Sequence, residues 1–300
     1  MATAASLSPE DALRLPAAEA DRLFDRLERT VPVRAALETV PLAPGAEAIV
    51  FGDTHGDWRS TEAAVAEFLA APSSTWLLGL GDYVDRSPED CGAGSVANAL
   101  YLLSLATQFP DRVYLVQGNH ETTRRVASFP HHLPEEVARL WGSGGRRYER
   151  LMALLERGPY AVATGSGAFL AHAGFPRGAL PTPWTAAVDP QNEDRLLELV
   201  WSECTASHSR RGAIDPWSLA DLESFLAQAR LSILLRGHDP DLTGRPLFGG
   251  RCLTLQTTRH YERFGGVIVA RLPLGSALRT VADLAVEHLP TEGRQFSEPE

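Results

Sequence analysis

Short apolar runs alternate with segments of helical periodicity over the first half of the chain. Three of these runs predict buried strands, at Ala48–Phe51, Trp76–Leu80 and Val113–Val116. The segments between them predict helices near residues 60–70 and 95–107. Strands that alternate with helices indicate an α/β fold with parallel strands.

The second half of the chain carries more antiparallel signals. A strand pair is predicted around the Gly165-Ser166-Gly167 turn, and helices are predicted over 129–157, with a break at 142–145, and over 217–230. The predicted strands of this half are Tyr160–Thr164, Ala168–His172, Leu231–Leu235, Cys252–Gln256, Val267–Leu272 and Ala277–Leu284, the last two forming a hairpin. This order fits two mixed sheets that face each other, with helices outside.

The ends of the chain differ from its centre. Ser8-Pro9 predicts a helix start, and Ala17–Arg29 is an amphipathic helical segment, so residues 1–46 are expected to form a helical extension packed on the main domain. Residues 47–290 are predicted to be that domain. The last ten residues, 291–300, are expected to form a flexible tail.

Metal-binding residue types follow the apolar runs, most of them beside glycine. Ligands bind at the carboxyl ends of parallel strands, so these residues are expected to meet at one edge of the fold. Two divalent cations held about 4 Å apart share one bridging ligand, and oxygen with nitrogen ligands suits manganese, iron, zinc or cobalt better than calcium. The predicted ligands of two such ions are Asp53, His55, Asp82, Asn119, His172 and His238.

Composition narrows the class of protein. The 300 residues are 44% hydrophobic and 22% charged, with a net charge of −10, which argues against a protein that coats nucleic acid. No apolar run reaches membrane-spanning length, and the first ten residues lack the pattern of a secretory signal. Three widely spaced cysteines favour free thiols and a reducing cytosol.

In these motifs the chain resembles the PPP family of serine/threonine phosphoprotein phosphatases, within the calcineurin-like metallophosphoesterase superfamily. The resemblance extends over about residues 48–270. It rests on the following segments: Gly52-Asp53-Thr54-His55-Gly56, Gly81-Asp82-Tyr83-Val84-Asp85-Arg86, Gly118-Asn119-His120-Glu121, His172-Ala173-Gly174, Trp201-Ser202, Arg211-Gly212 and Arg236-Gly237-His238.

The resemblance implies a four-layer sandwich, with two mixed sheets between helices, and a binuclear centre. Asp53, His55 and Asp82 would bind one ion, and Asp82 would share the second ion with Asn119, His172 and His238. The chain departs from the family at some positions outside this ligand set. Gln117, Ser87 and Glu203-Cys204 replace an arginine, a glycine and Asp-Pro, and only Tyr261 persists from a segment near the site in eukaryotic members.

The motifs also give a mechanistic hypothesis. A hydroxide activated by the two metals would attack phosphorus in line, and His120 would protonate the leaving alkoxide while Asp85 fixes its tautomer. Glu121 is expected to brace the site, whereas His131 and His132 are interpreted as loop or surface residues. The candidates for phosphate or substrate binding are Arg86, Arg211, the weaker third candidate Arg236, and Tyr261.

Several phosphoester reactions stay open at this level. The motifs favour a phosphomonoesterase acting on phosphoserine or phosphothreonine, with small phosphoesters as other substrates. Hydrolysis of dinucleoside tetraphosphates is second, although those relatives are expected to carry Asp where Glu121 stands. A nuclease or cyclic phosphodiesterase is third, and an inactive phosphate-binding scaffold is disfavoured because every ligand and His120 are present. No nucleic-acid or membrane partner is predicted, and a monomer is the simplest expectation.

Overall fold

The computed structural model describes residues 7–143, 145–208 and 214–290, which contain eight α-helices and ten strands. The helices are α1 Pro9–Arg14, α2 Ala17–Thr30, α3 Trp58–Ala70, α4 Gly94–Gln108, α5 Leu133–Trp141, α6 Arg146–Leu155, α7 Glu193–Val200 and α8 Leu219–Ala229. The strands are β1 Leu37–Val40, β2 Glu47–Phe51, β3 Thr75–Gly79, β4 Val113–Leu115, β5 Ala161–Thr164, β6 Ala168–Ala171, β7 Ile233–Arg236, β8 Cys252–Thr254, β9 Ile268–Pro273 and β10 Ala285–His288.

The strands form two five-stranded sheets, with orders β10-β9-β2-β3-β4 and β1-β5-β6-β7-β8. In the first sheet β2, β3 and β4 are parallel, and β9 runs antiparallel to both β2 and β10. In the second sheet only the β5–β6 pair is antiparallel. Both sheets are therefore mixed, as the sequence predicts.

Alternation of side chains along β2 shows how the layers form. Ile49 and Phe51 belong to the apolar core that the first sheet shares with the helices α2–α6, whereas Ala48 and Val50 point to the core between the two sheets. Successive strand residues point to opposite faces, so a strand buried on both sides must be apolar throughout. A third core packs the outer face of the second sheet against α7 and α8. The result is the four-layer sandwich.

The N-terminal helices pack on the helical layer of the main domain. Arg147 of α6 forms a bidentate ion pair with Asp21 of α2, at 2.7 and 2.9 Å. The Trp141 indole donates a hydrogen bond of 2.9 Å to the carbonyl of Leu15. Leu23, Phe24 and Leu27 of α2 join the same apolar core. Within the described ranges no helix has the length and apolarity that a bilayer crossing needs.

Two details differ from the sequence prediction. Leu37–Val40, inside the segment predicted as helical, is the edge strand β1 and pairs in parallel with β5. The last strand lies at Ala285–His288 rather than 277–284, because Thr280 and Asp283 cap a 3₁₀ turn at Val281–Asp283 through local hydrogen bonds. The predicted hairpin with the preceding strand is nevertheless present.

Gly52, directly after β2, lies tightly against the second sheet. A Cβ atom on Gly52 would sit 2.0 Å from the carbonyl oxygen and 2.3 Å from the carbonyl carbon of Leu255. Both are backbone atoms, so no side-chain rotation can relieve the overlap. This contact joins the two sheets directly beside Asp53.

We therefore predict that Gly52→Ala lowers the free energy of unfolding by about 1–3 kcal/mol, the usual cost of overpacking. The matched control is Gly145→Ala, because a Cβ there meets nothing within 4 Å and the residue is not in the left-handed region. Urea denaturation of both variants measures the difference. Equal midpoints for Gly52→Ala and the unsubstituted protein would contradict the steric account.

Candidate metal centre

The predicted ligands meet at one edge of the two facing sheets. Each follows a strand: Asp53 and His55 follow β2, Asp82 follows β3, Asn119 follows β4, His172 follows β6 and His238 follows β7. All six side chains are buried, with relative exposures of 4% or less. Residues separated by up to 185 positions are in contact, since both oxygens of Asp53 accept a hydrogen bond from the backbone N–H of His238.

Asp82 lies at the middle of this group. Its Oδ2 atom is 3.7 Å from Nε2 of His55, 3.4 Å from Nε2 of His172 and 4.0 Å from Nε2 of His120. Asp82 thus belongs to two groups of side chains that could each hold a metal ion, one with His55 and His120 and one with His172 and His238.

On one side of Asp82, nitrogen and oxygen atoms of three side chains face each other. Nδ1 of His172 donates to the carbonyl of Leu80, so its Nε2 faces this group. That Nε2 lies 3.0 Å from Oδ1 of Asn119 and 3.2 Å from Nδ1 of His238. The Asn119 amide is oriented by Ser128, whose hydroxyl accepts from Nδ2 of Asn119 and donates to the backbone carbonyl of the same residue. Lone pairs that converge in this way repel unless a proton or cation lies among them.

On the other side of Asp82, His55 is oriented in the same manner. Its Nδ1 binds the carbonyl of Val84, so Nε2 points toward Asp53 and Asp82. The guanidinium of Arg86 lies 3.2 Å from this Nε2, and a cation that binds here has to displace that contact. Burial and the Arg86 charge both lower the pKa of His55, so the ring is neutral and able to bind a metal.

The pKa shifts show that positive charge is favoured at the centre. Burial lowers the pKa of His172, but Asp82 and Asp53 outweigh it and raise the value to about 9. Burial and the charge of Asp82 raise the pKa of Asp53 to about 6, although His172 opposes this rise. For Asp82 the balance is reversed: burial would raise its pKa, but His172 and His120 outweigh burial and lower the pKa. Without metal, a proton on His172 would offset the negative charge of Asp53 and Asp82, and bound cations would offset it in place of that proton. The donor set fits two divalent ions.

Backbone strain is concentrated at the same place. Outside glycine, positive φ angles are rare and cost on the order of 1–3 kcal/mol each. Most of the non-glycine examples in the described residues are predicted site residues. They are His55 (45°), Asp82 (55°), Asp85 (67°), Arg86 (55°) and His238 (69°). The fold holds these residues where the side chains converge, at the expense of local backbone preference.

His120 and Asp85 lie next to the predicted ligands. Nδ1 of His120 binds Oδ2 of Asp85 at 2.5 Å, and both side chains are fully buried. Burial alone would raise the pKa of Asp85, but hydrogen bonds from His120 and His131 outweigh it and lower the pKa. Nε2 of His120 is buried and has no hydrogen-bond partner among the described residues. It is 4.0 Å from Asp82, so it faces the predicted metal site.

Two buried side chains support the loops that carry the ligands. Glu121 accepts hydrogen bonds from the backbone N–H groups of Asp82, Tyr83 and Gly118, which is the bracing contact expected for it. Gln256 donates to Oδ2 of Asp53 at 2.9 Å. The sequence analysis gave Gln256 no role beyond the end of a predicted strand, because its partner lies 203 residues away in the chain.

The structure separates the candidates for substrate binding. Arg86 borders the cavity at the site and donates a hydrogen bond of 2.9 Å to the hydroxyl of Tyr261, whose ring lies against His55. Arg236 instead is fully buried, with its guanidinium 5.7 Å from the centre of the Trp217 ring. On β7 it points to the same side as Leu234, toward the α7–α8 layer, because strand side chains alternate. The geometry therefore does not support the clamp predicted for Arg236, and Arg211 lies outside the described residues.

The site opens into a cavity of about 340 Å³. Predicted ligands form one side and apolar residues the other. Its lining consists of Asp82, Arg86, Asn119, Val126, Ala127, Phe129, Trp201 and His238. The guanidinium of Arg86 and three of the predicted ligands, Asp82, Asn119 and His238, therefore border the same cavity.

The family model for calcineurin-like phosphoesterases matches residues 48–242, a span that contains all six predicted ligands, His120 and Asp85. The chain belongs to the calcineurin-like phosphoesterase family. Members hydrolyse phosphoric esters, and this phosphoesterase carries the family's PPP-type motifs in order.

Named relatives agree with that membership. A probable serine/threonine-protein phosphatase of Encephalitozoon cuniculi (strain GB-M1) is 28% identical over 256 residues, which is 81% of this chain but only 54% of that protein. A solved protein serine/threonine phosphatase from Saccharomyces cerevisiae superposes with a TM-score of 0.73 at 19% identity, over 94% of this chain and 92% of that one. A putative diadenosine tetraphosphatase superposes with a TM-score of 0.53 at 18% identity, over 87% and 100%. Both structures support the four-layer fold.

We predict that Asp82→Asn lowers the bound manganese content and removes the rise in melting temperature that manganese gives to the unsubstituted phosphoesterase. A ligand at 100 times its Kd stabilises a protein by about 2.7 kcal/mol, which differential scanning fluorimetry detects readily. The control is Asp111→Asn, because that carboxylate is exposed and remote from the predicted ligands. An unchanged metal content in Asp82→Asn would contradict the bridging assignment.

Proposed function

We propose that this phosphoesterase is a binuclear, metal-dependent phosphomonoesterase, and that its substrates are phosphoserine or phosphothreonine residues of proteins. The observation that carries the proposal is the position of His120. Its buried Nε2 has no hydrogen-bond partner in the part of the chain that the structure describes, and it faces the same site as the converging predicted metal ligands. A proton donor beside a metal-binding cluster is what cleavage of an unactivated phosphoester requires.

Two cations would be held by the six predicted ligands. When bound, they would acidify a water molecule and offset the negative charge of the phosphoryl group. Asp53, His55 and Asp82 would hold one ion, and Asp82, Asn119, His172 and His238 would hold the other. Manganese is the ion that we propose to test first, with iron, zinc and cobalt as alternatives.

The protein's own groups have separate tasks. Asp85 accepts the Nδ1 proton of His120, which leaves Nε2 as the atom that carries or releases a proton toward the cavity. His120 in its protonated form would donate from Nε2 to the departing alkoxide oxygen. Arg86 would orient the phosphoryl oxygens with its guanidinium, and Tyr261, hydrogen-bonded to Arg86, would hold that guanidinium in place.

The choice of phosphoprotein as substrate rests on the motifs and on the relatives' names. The Encephalitozoon relative and the yeast structure are both described as serine/threonine phosphatases. A dinucleoside tetraphosphate is the second candidate, since the putative diadenosine tetraphosphatase shares the fold. Glu121, expected to be Asp in that class, favours the first. The chain spans 54% of the Encephalitozoon protein, so that protein's targets and partners do not transfer directly.

We predict that His120→Asn retains bound manganese but loses about 10²–10⁴-fold in kcat on phenyl phosphate. Phenolate is a poor leaving group and needs the proton, whereas p-nitrophenolate departs without one. The loss on p-nitrophenyl phosphate should therefore be much smaller. Steady-state kinetics on both esters test this, and equal losses on the two would contradict the assignment of His120 as general acid.

A substrate panel separates the candidate reactions. We expect kcat/KM with manganese to be highest on a phosphoserine or phosphothreonine peptide. Diadenosine tetraphosphate and an RNA dinucleotide are the competing substrates in the same assay, and the His120→Asn variant controls for contaminating activity. A higher kcat/KM on diadenosine tetraphosphate would replace the phosphoprotein proposal by the nucleotide one.

A further inference from the structure

The carboxylate of Asp85 is shared between two histidines. Its Oδ2 accepts hydrogen bonds from Nδ1 of His120 at 2.5 Å and from Nδ1 of His131 at 2.9 Å. Oδ1 accepts the backbone N–H groups of His132 and Leu133, at 2.7 and 3.0 Å, where helix α5 begins. The four lone-pair directions of the carboxylate are thus all used. Asp85 cannot rotate without breaking several of these bonds.

His131 is itself held from the other side. Its Nε2 lies 2.9 Å from the hydroxyl of Tyr148 on helix α6. Because the carboxylate of Asp85 only accepts, Nδ1 of His131 must donate, and in the neutral ring Nε2 accepts the Tyr148 hydroxyl proton. Both nitrogens of His131 therefore have hydrogen-bond partners, and the ring is held between Asp85 and α6.

The loop that carries His131 is also tied to α6 independently of that ring. Arg124, earlier in the loop, donates to Glu149 at 2.8 Å and to Glu156 at 2.6 Å. The loop can therefore keep its place when the His131 ring is replaced. A change at His131 then acts mainly on Asp85 rather than on the fold of the loop.

We propose that His131 is a positioning residue for catalysis: it fixes the shared Asp85 carboxylate so that His120 presents Nε2 to the leaving group. This inference rests on the proposed function, because it presumes that His120 is the proton donor. Without the His131 donor, Oδ2 loses one of its two bonds and the His120–Asp85 pair gains rotational freedom. The orientation of His120 over the cavity then becomes less well defined.

The test compares two substitutions at one position. His131→Leu removes the donor but keeps an apolar side chain of similar reach, whereas His131→Asn keeps an amide N–H close to the position of Nδ1. The matched control is His132→Leu, because the side chain of His132 is exposed and only its backbone touches Asp85. The manganese-loaded full-length protein is assayed on phenyl phosphate, with bound metal and melting temperature measured for each variant.

We expect His131→Leu to lower kcat by about 10-fold or more, the usual effect of removing an orienting partner, with KM and bound metal unchanged. His131→Asn should recover most of that loss. In proton NMR of the zinc-loaded protein, which is diamagnetic, the short His120–Asp85 bond should give a far-downfield imidazole N–H resonance that shifts in His131→Leu but not in His132→Leu.

Three results would overturn the inference: a normal kcat in His131→Leu, equal losses in the Leu and Asn variants, or an unmoved downfield resonance. If His131→Leu does not fold, His131→Asn and Tyr148→Phe still test it, since the first should stay active and the second should lose part of kcat. His120→Asn is run in parallel. If that variant keeps full activity on phenyl phosphate, the proposed function fails; if only His131→Leu does, the positioning role alone fails.

Discussion

Convergence of buried electron-pair donors is the constraint on which the rest of the structure depends. Nε2 of His172, Nδ1 of His238 and Oδ1 of Asn119 lie within 3.0–3.2 Å of one another, and Asp82 approaches from the adjacent strand. Water is largely excluded, so their mutual repulsion is poorly screened. Such a group needs a proton or a cation among its atoms. Asp82 and Asp53 raise the pKa of His172, which favours a proton there, and bound cations would replace it.

Holding that group together requires a rigid frame. Each predicted ligand lies just beyond a strand whose residues are buried on both faces. The site residues with positive φ keep their strained conformations because these strands cannot shift, and Gly52 permits the backbone contact that joins the two sheets beside Asp53. Three apolar cores, one between the two sheets and one on the outer face of each, supply the stabilisation that offsets the strain.

Support for the proton donor extends well beyond the site. His120 is oriented by Asp85, Asp85 by His131 and the start of α5, and His131 by Tyr148 on α6. Helix α6 is in turn bound to α2 through Arg147 and Asp21. The N-terminal helices are therefore connected to His120 through α6, His131 and Asp85. This connection gives the extension a structural link to the site, although neither α1 nor α2 borders the cavity.

The sequence alone determined the parts of the protein that are local in the chain. Apolar runs located β2, β3 and β4, and the glycine-flanked motifs after them named the predicted ligands together with His120 and Asp85. The strand predictions are confirmed, because a strand end is specified by neighbouring side chains, whereas the roles of the ligands, His120 and Asp85 stay predictions. The same local signals missed β1, because Leu37–Val40 is neither an apolar run nor an alternating pattern. They also misplaced β10, where capping by Thr280 and Asp283 sets the turn.

Only the tertiary structure decided which distant side chains meet. His131 carries no motif, and its contact with Asp85, 46 residues away, exists because α5 begins beside the end of β3. Gln256 reaches Asp53 across 203 residues for the same kind of reason. Arg236 is the opposite case. Its motif predicted a substrate contact, but the alternation of side chains along β7 places its guanidinium beside Trp217. Sequence specifies which chemistry is present near each strand end, whereas packing of the two sheets specifies the partners of each group.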